Sequence, residues 1–302
     1  MPGLNRSEQA AVQLPKDIEV FIANVFNFLY NRASETQGDD KMIDMHNHVL
    51  YGVDDGAQSI EDSVEMLFKA KEVGFSGVVL TPHYMCYQNF TSPVAENKKR
   101  CETLKKILER AGLELNLYLG SELLYEYQLV DLIDKEEFTT LAGTPWFLVE
   151  TIRHGGTAIG VQNFMHKLKE KGYKAILAHP ERYDFVQDDP NVLLDFMKNG
   201  ALIQCNYLSL IGYYGEPSRR TLEILLKHRM VQLMGSDAHQ VEGYERYPEA
   251  RAAGIALVGE DEWNRIMCRN PELLIKNKGG IAVNPIPCTE EVKSSVIGRT
   301  FL

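Results

Sequence analysis

The chain has only five cysteines in 302 residues, Cys86, Cys101, Cys205, Cys268 and Cys288, and no C-x-x-C pair. An odd, scattered set excludes a disulfide framework and a zinc knuckle, and makes the cytoplasm the expected address. No cysteine precedes a Gly-rich loop ending in arginine, so a thiolate phosphatase is not indicated. No apolar run approaches the roughly eighteen residues of a membrane span, and the first fifteen residues lack the apolar core of a secretory leader. Positive charge is scarce too. The 32 Lys and Arg stand against 42 Asp and Glu, a net charge of −10, which argues against general nucleic-acid affinity. A phosphorylated substrate stays open, because bound cations and local arginines reverse the field at a site.

What the chain does have is alternation. With 44% hydrophobic residues it can bury a large core, and barrels of this length commonly form one domain. Apolar runs near 42–45, 77–80, 116–120, 146–150, 174–178, 201–205 and 231–235 read as seven strands. Between them lie helical segments at 60–73, 93–110, 125–134, 160–171, 190–199 and 217–229, with closing helices near 263–267 and 271–276. Ser59 is placed to cap the first, with Asp62 in the capping-box position. Apolar runs separated by helices imply parallel strands buried on both faces, a (β/α) barrel. Residues 1–40 stand apart as an extension: Asp17 to Tyr30 has helical spacing, suited to packing or to docking a partner, and a polar linker follows. The barrel is expected over 41–280 and a loosely held tail over 281–302.

The histidines carry the chemistry. His46 and His48, His83, His179 and His239 each sit at or just past an apolar run, and Asp237, Glu122 and Glu150 do likewise. A lone histidine after a strand is usually a hydrogen-bonded structural residue. The repetition changes that, since a barrel brings its strand ends to one face and imidazole and carboxylate suit zinc, manganese and iron. His154, His166 and His228 follow no apolar strand and read as surface or structural positions.

The strings His46-Asn47-His48, Gly52-Val53-Asp54-Asp55-Gly56-Ala57, Thr81-Pro82-His83, Gly120-Ser121-Glu122, Ala178-His179-Pro180-Glu181-Arg182 and Gly235-Ser236-Asp237-Ala238-His239 resemble the polymerase and histidinol phosphatase (PHP) family. Within it they are similar to the bacterial manganese-dependent protein-tyrosine phosphatases encoded with capsule and exopolysaccharide genes. The resemblance spans roughly residues 42–275. It implies a distorted (β/α)7 TIM-like barrel with two or three divalent cations, manganese or else iron or zinc, at the C-terminal ends of the strands. By resemblance, His46, His48, Glu122 and Asp237 hold one metal. Glu122 bridges to a second, held also by Glu150 and His179, and Asp55, His83 and His239 hold a third. The setting of Glu150, Val149-Glu150-Thr151-Ile152-Arg153, departs from the motif expected there.

Two arginines complete the expectation. A guanidinium matches phosphoryl oxygens in a bidentate way, and the resemblance gives Arg182 the phosphate. Arg246, in a tyrosine-rich stretch read as a loop, is either a second phosphate contact or an ordinary surface ion pair. Clustered cations make hydroxide available at neutral pH for in-line attack on phosphorus, with Arg182 stabilising the phosphoryl oxygens. The implied function is dephosphorylation of phosphotyrosine protein, the partner being a cognate tyrosine kinase of capsule or exopolysaccharide synthesis. Histidinol phosphate hydrolysis is the alternative, and a catalytically silent metal-binding regulator is a reading from another class. A nuclease of the same family fits the acidic charge poorly.

Overall fold

The apolar runs form parallel strands, and two of the seven expected strands are each followed, after a two-residue break, by a further short strand. The computed structural model describes residues 41–289, so the expected helix at 17–30 and residues 290–302 of the tail lie outside it. Strand β1 is Met42–Asp44; β2 (Phe75–Leu80) and β3 (His83–Tyr84) flank Thr81-Pro82; β4 (Asn116–Leu119) and β5 (Glu122–Leu124) flank Gly120-Ser121. Pro82 has no N–H to give a ladder. The pairing nevertheless continues across both breaks through Gly120 N to Leu80 O (2.8 Å) and Glu122 N to Pro82 O (3.0 Å). Then follow β6 (Trp146–Glu150), β7 (Lys174–Ala178), β8 (Leu202–Asn206) and β9 (Leu233–Gly235).

These strands make a three-stranded sheet, β1-β2-β4, and a six-stranded sheet, β3-β5-β6-β7-β8-β9, every pair parallel. Just past the last strand, Asp237 N donates to His46 O (2.8 Å) and His48 N to Ala238 O (2.9 Å). The ends of β9 and β1 are thereby bonded to each other, beside the parallel bridge Asn47–Ala238. Inward side chains from successive strands, Ile43, Val79, Leu148, Ile176, Leu202 and Leu233, form one core cluster with Leu274.

Helix α1 (Ile60–Glu72) starts as its sequence predicts, with Ser59 and Asp62 closing a reciprocal capping box, and it buries Val64, Leu67 and Phe68. Helix α2 is Val94–Arg110. The helix expected over 125–134 shrinks to α3, Leu129–Leu132, followed by a 3-10 turn. Tyr125 N is bonded to Glu150 O (2.8 Å), so that residue extends the strand pairing and delays the helix. Helix α4 is Ala158–Glu170. The short helix α5 (Asp184–Asp188) was not expected, and the helix expected near 190–199 is α6 (Val192–Lys198), which follows Pro190.

Helix α7 (Glu216–Lys227) follows, then α8 (Glu242–Glu245), in the tyrosine-rich stretch expected as a loop, and α9 (Tyr247–Val258), where no helix is expected. The buried residues of α9, Tyr247, Ala250 and Gly254, share one face, but Ala252, Ala253, Ile255, Ala256, Leu257 and Val258 make its other sides apolar too, so no one-sided stripe shows. Gly254 lets the helix lie against Trp263, whose ring carbon Cζ3 would stand 2.1 Å from an added Cβ. Helices α10 (Glu260–Asn264) and α11 (Asn270–Ile275) are joined by a π-helical turn. No described helix is long and apolar enough to cross a membrane.

The first part of the tail is held, contrary to expectation. Ile286 N donates to His228 O (2.8 Å), the His228 ring reaches Ile286 O (2.9 Å), and Asn191 exchanges two bonds with the Cys288 backbone, at 3.1 and 2.8 Å.

Candidate metal centre

All nine residues expected as ligands converge. His46 and His48 follow β1, Asp55 lies in the loop beyond, His83 opens β3 and Glu122 opens β5. Glu150 ends β6, His179 follows β7, and Asp237 and His239 follow β9. They fall into four overlapping groups: His46, His48, Asp237; His46, Glu122, His179; His83, Glu122, Glu150; and His48, Asp55, His83, His239. Glu122 belongs to two groups, as a bridging carboxylate must. His83 stands with Glu122 and Glu150 as well as with Asp55, an overlap the sequence reading did not contain. Glu150, despite its atypical setting, lies 3.2 Å from His83 Nδ1 and 3.6 Å from His179 Nε2.

Close backbone approach makes the convergence fit. A Cβ on Gly56 would lie 2.1 Å from His48 O, and one on Gly235 would lie 2.6 Å from His46 Cβ. Two site residues also hold left-handed backbone that non-glycine residues seldom adopt, His179 at φ 31 and Asp237 at φ 52. Such conformations cost roughly 1–3 kcal/mol each and persist where surrounding structure enforces them.

The lone pairs show what the site requires. Asn206 Nδ2 donates to Asp237 Oδ2 (2.9 Å), so Asn206 Oδ1 accepts from Gln204 Nε2 (3.1 Å), which also donates to Cys205 O (2.8 Å). Gln204 Oε1 therefore faces His46 Nδ1 at 2.9 Å as an acceptor, and that nitrogen carries the proton. Asp54 Oδ2 does the same for His48 Nδ1 at 2.8 Å. Both imidazoles thus turn Nε2 inward, 3.2 Å apart. His46 Nε2 is 3.1 Å from Glu122 Oε2, and His48 Nε2 is 3.3 Å from Asp237 Oδ1.

Four inward acceptors at such spacing need positive charge among them, from protons or from metal ions. Glu122 Oε2, Glu150 Oε1, His83 Nδ1 and His179 Nδ1 are buried there without a hydrogen-bond partner. The donor set, imidazole nitrogen with bridging carboxylate, fits divalent transition metals.

The protonation equilibria point the same way. Burial works against charge on His83, and His48 adds repulsion. Glu122 and Glu150 outweigh both and raise it to about 10. For His46 and His48 burial again opposes charge, yet the surrounding carboxylates raise both. Glu122 and Asp237, although buried, are held well below the usual carboxylate range by the imidazoles around them, and Asp237 by Arg182 too. Asp55 is lowered to about 2, chiefly by its hydrogen bond with His239. The thiols of Cys86, Cys101 and Cys205 are all pushed up by burial, which disfavours a thiolate nucleophile at any of them.

Arg182 is buried at the edge of the cluster. Its Nη1 donates to Asp237 Oδ2 in a short ion pair, and its guanidinium lies 4.1 Å over the Tyr214 ring. Arg246 lies outside the ligand groups, paired with Glu249 at 3.0 Å and 5.9 Å over the Tyr213 ring. His154 and His166 are exposed, at 84% and 71% of side-chain area.

Sequence reasoning missed the residues behind the ligands: Asp54, Gln204, Asn206 and Asp44. Buried Asp44 accepts from Ser236 N (2.9 Å), Ser236 Oγ (2.7 Å) and Tyr244 OH (2.7 Å), fixing the turn that carries Asp237. Asp54 and Asp44 were legible as carboxylates beside the histidine motifs. Gln204 and Asn206 in β8 carried no signal.

A tyrosine-protein phosphatase YwqE of Bacillus subtilis (strain 168) is 28% identical over 239 residues, covering 78% of this chain and 92% of that protein. The tyrosine-protein phosphatase CpsB of Streptococcus pneumoniae is 23% identical over 245 residues, covering 78% and 99%. A crystal structure from work on YwqE and CpsB, described as unique metal-dependent tyrosine phosphatases, superposes with a TM-score of 0.74 at 26% identity, covering 82% of this chain and all of that one. The sequence profile of the capsular polysaccharide synthesis family CpsB/CapC matches residues 42–276, and the chain belongs to that family.

Proposed function

We propose that this protein is a metal-dependent phosphomonoester hydrolase acting on phosphotyrosine in protein, within capsular or exopolysaccharide synthesis. The observation that carries the reading is the inward lone-pair set of His46, His48, Glu122 and Asp237, backed by the names of its relatives. The ligands are His46, His48, Asp55, His83, Glu122, Glu150, His179, Asp237 and His239, for two or three divalent ions, with manganese the first choice. Residues 41–280 form the catalytic barrel, 1–40 an extension and 281–302 a tail. The partner is a cognate tyrosine kinase or regulator, and the compartment is the cytoplasm.

Bound divalent ions supply Lewis-acid charge and a nucleophile at neutral pH. The chain does the rest. Gln204 and Asp54 hold His46 and His48 in one tautomer. Arg182 spends Nη1 on Asp237, which leaves its other N–H donors for phosphoryl oxygens as charge develops. A phenolate leaving group, with a pKa near ten, departs without strong general-acid help.

The test is a parallel assay of the manganese-loaded protein on a phosphotyrosine peptide and on histidinol phosphate. Turnover of the peptide, lost on chelation and restored by manganese but indifferent to thiol alkylation, is expected. Full activity in exhaustively chelated, metal-free protein, or turnover of histidinol phosphate alone, overturns the reading.

A further inference from the structure

Beside the metal-type residues opens a cavity of about 210 Å³ whose polar side is Arg182, Asp237 and His239 and whose apolar side is Leu208, Tyr213 and Tyr214. Among the described large apolar side chains that stand exposed, Tyr213, at 46%, is the one that lines this cavity. Its placement is built. Gly212 and Gly215 both hold positive φ, 76 and 90. The turn between them is closed by Gly215 N to Gly212 O (2.9 Å) and Tyr213 N to Leu208 O (3.2 Å).

The two tyrosines differ in what their faces meet. Tyr214 packs one face on the Arg182 guanidinium at 4.1 Å. Tyr213 meets Tyr214 edge to face, with centroids 5.0 Å apart, and has Arg246 at 5.9 Å. Each ring thus has an arginine over it, but Arg246 stands farther from Tyr213 than Arg182 does from Tyr214, and Tyr213 keeps exposed surface at the cavity.

Resting on the phosphatase reading, we infer that Tyr213 is the residue that selects aryl phosphates, its ring contacting the aromatic ring of the substrate while Tyr214 positions Arg182 for the phosphoryl group. A planar ring lying on Tyr213 with its phosphoryl group toward Arg182 and His239 puts apolar surface on apolar surface and charge on charge. An alkyl phosphate gains only the second contact. An aromatic pair is worth about threefold to tenfold in affinity beyond the area it covers.

The experiment measures binding of phenylphosphonate and methylphosphonate to the manganese-loaded full chain by calorimetry, for the wild type, Tyr213→Ala and Tyr213→Phe. Alanine should cut the phenyl-over-methyl preference about threefold to tenfold, leaving methylphosphonate affinity and metal content unchanged, and phenylalanine should restore the preference. An unchanged preference in Tyr213→Ala, equal weakening of both ligands, or no phosphonate binding to the wild type overturns the assignment. Turnover of a phosphotyrosine peptide by the wild type is scored separately. A protein that binds phenylphosphonate through Tyr213 but hydrolyses nothing sinks the phosphatase reading and leaves the aryl slot standing.

Discussion

Replacing Asp54 by asparagine removes one formal charge and almost no volume, and it acts only behind the ligands. The carboxylate accepts three hydrogen bonds: Oδ2 from His48 Nδ1 (2.8 Å) and His83 N (3.0 Å), Oδ1 from Gly56 N (3.0 Å). An amide has one acceptor. If its oxygen faces the histidines, its NH2 opposes the Gly56 N–H; turned over, it opposes two donors. Either orientation leaves a buried donor unmet, worth about 1–3 kcal/mol; His48 loses the negative charge that raises its basicity in both, and its acceptor as well in the second. Changes to such supporting partners typically cost about 10–100-fold in metal affinity, or about 1.4–2.8 kcal/mol. Manganese titration of chelated protein, followed by calorimetry, should therefore show that loss in Asp54→Asn. A thermal melt of the same metal-free samples registers the hydrogen-bond cost. Wild-type metal affinity in a folded Asp54→Asn protein would refute the role of the Asp54 carboxylate behind His48.

Further outcomes follow from the same geometry. Glu122→Ala should lower bound metal and turnover together while the fold survives; unchanged metal content would show that Glu122 bridges nothing. Arg182→Ala should reduce kcat/KM roughly thirtyfold to thousandfold, about 2–4 kcal/mol. Because Arg182 holds Asp237 Oδ2, metal should also bind more weakly, and lysine, lacking the fork, should rescue only part. A fully metallated, well-folded variant with wild-type kcat/KM removes Arg182 from the mechanism. In the metal-free protein the imidazole of His83 is raised from 6.5 to about 10, so its contribution to stability is complete below about pH 6.5 and is lost as pH rises toward 10. The melting temperature of metal-free protein should fall across that window, whereas metal loading, which displaces those protons, should flatten the decline. Parallel curves with and without manganese would contradict this.

The alternation of apolar runs and helices was enough to read a parallel α/β barrel, because strands buried on both faces leave an unbroken apolar signature. It located His46, His48, His83, Glu122, His179, Asp237 and His239 at strand ends, where the topology itself makes them neighbours. It read the capping box of Ser59 and Asp62, a local motif complete within four residues. Elements set by distant contacts escaped it. Tyr125 is drawn into pairing with Glu150, and α9 shows no amphipathic stripe because its exposed sides are apolar as well.

Arg182 shows the same division at the site. Its charge and its place three residues after His179 were legible, but its carboxylate partner was not. The structure pairs it with Asp237, 55 residues away along the chain. Residue type and strand-end position are local properties, so sequence alone indicated which residues could act as ligands and what chemistry they share. Which nitrogen of each imidazole faces inward, through Gln204 and Asp54, and which tyrosine orients Arg182 are set by hydrogen bonds and packing between segments far apart in the chain. Only the tertiary structure could decide them.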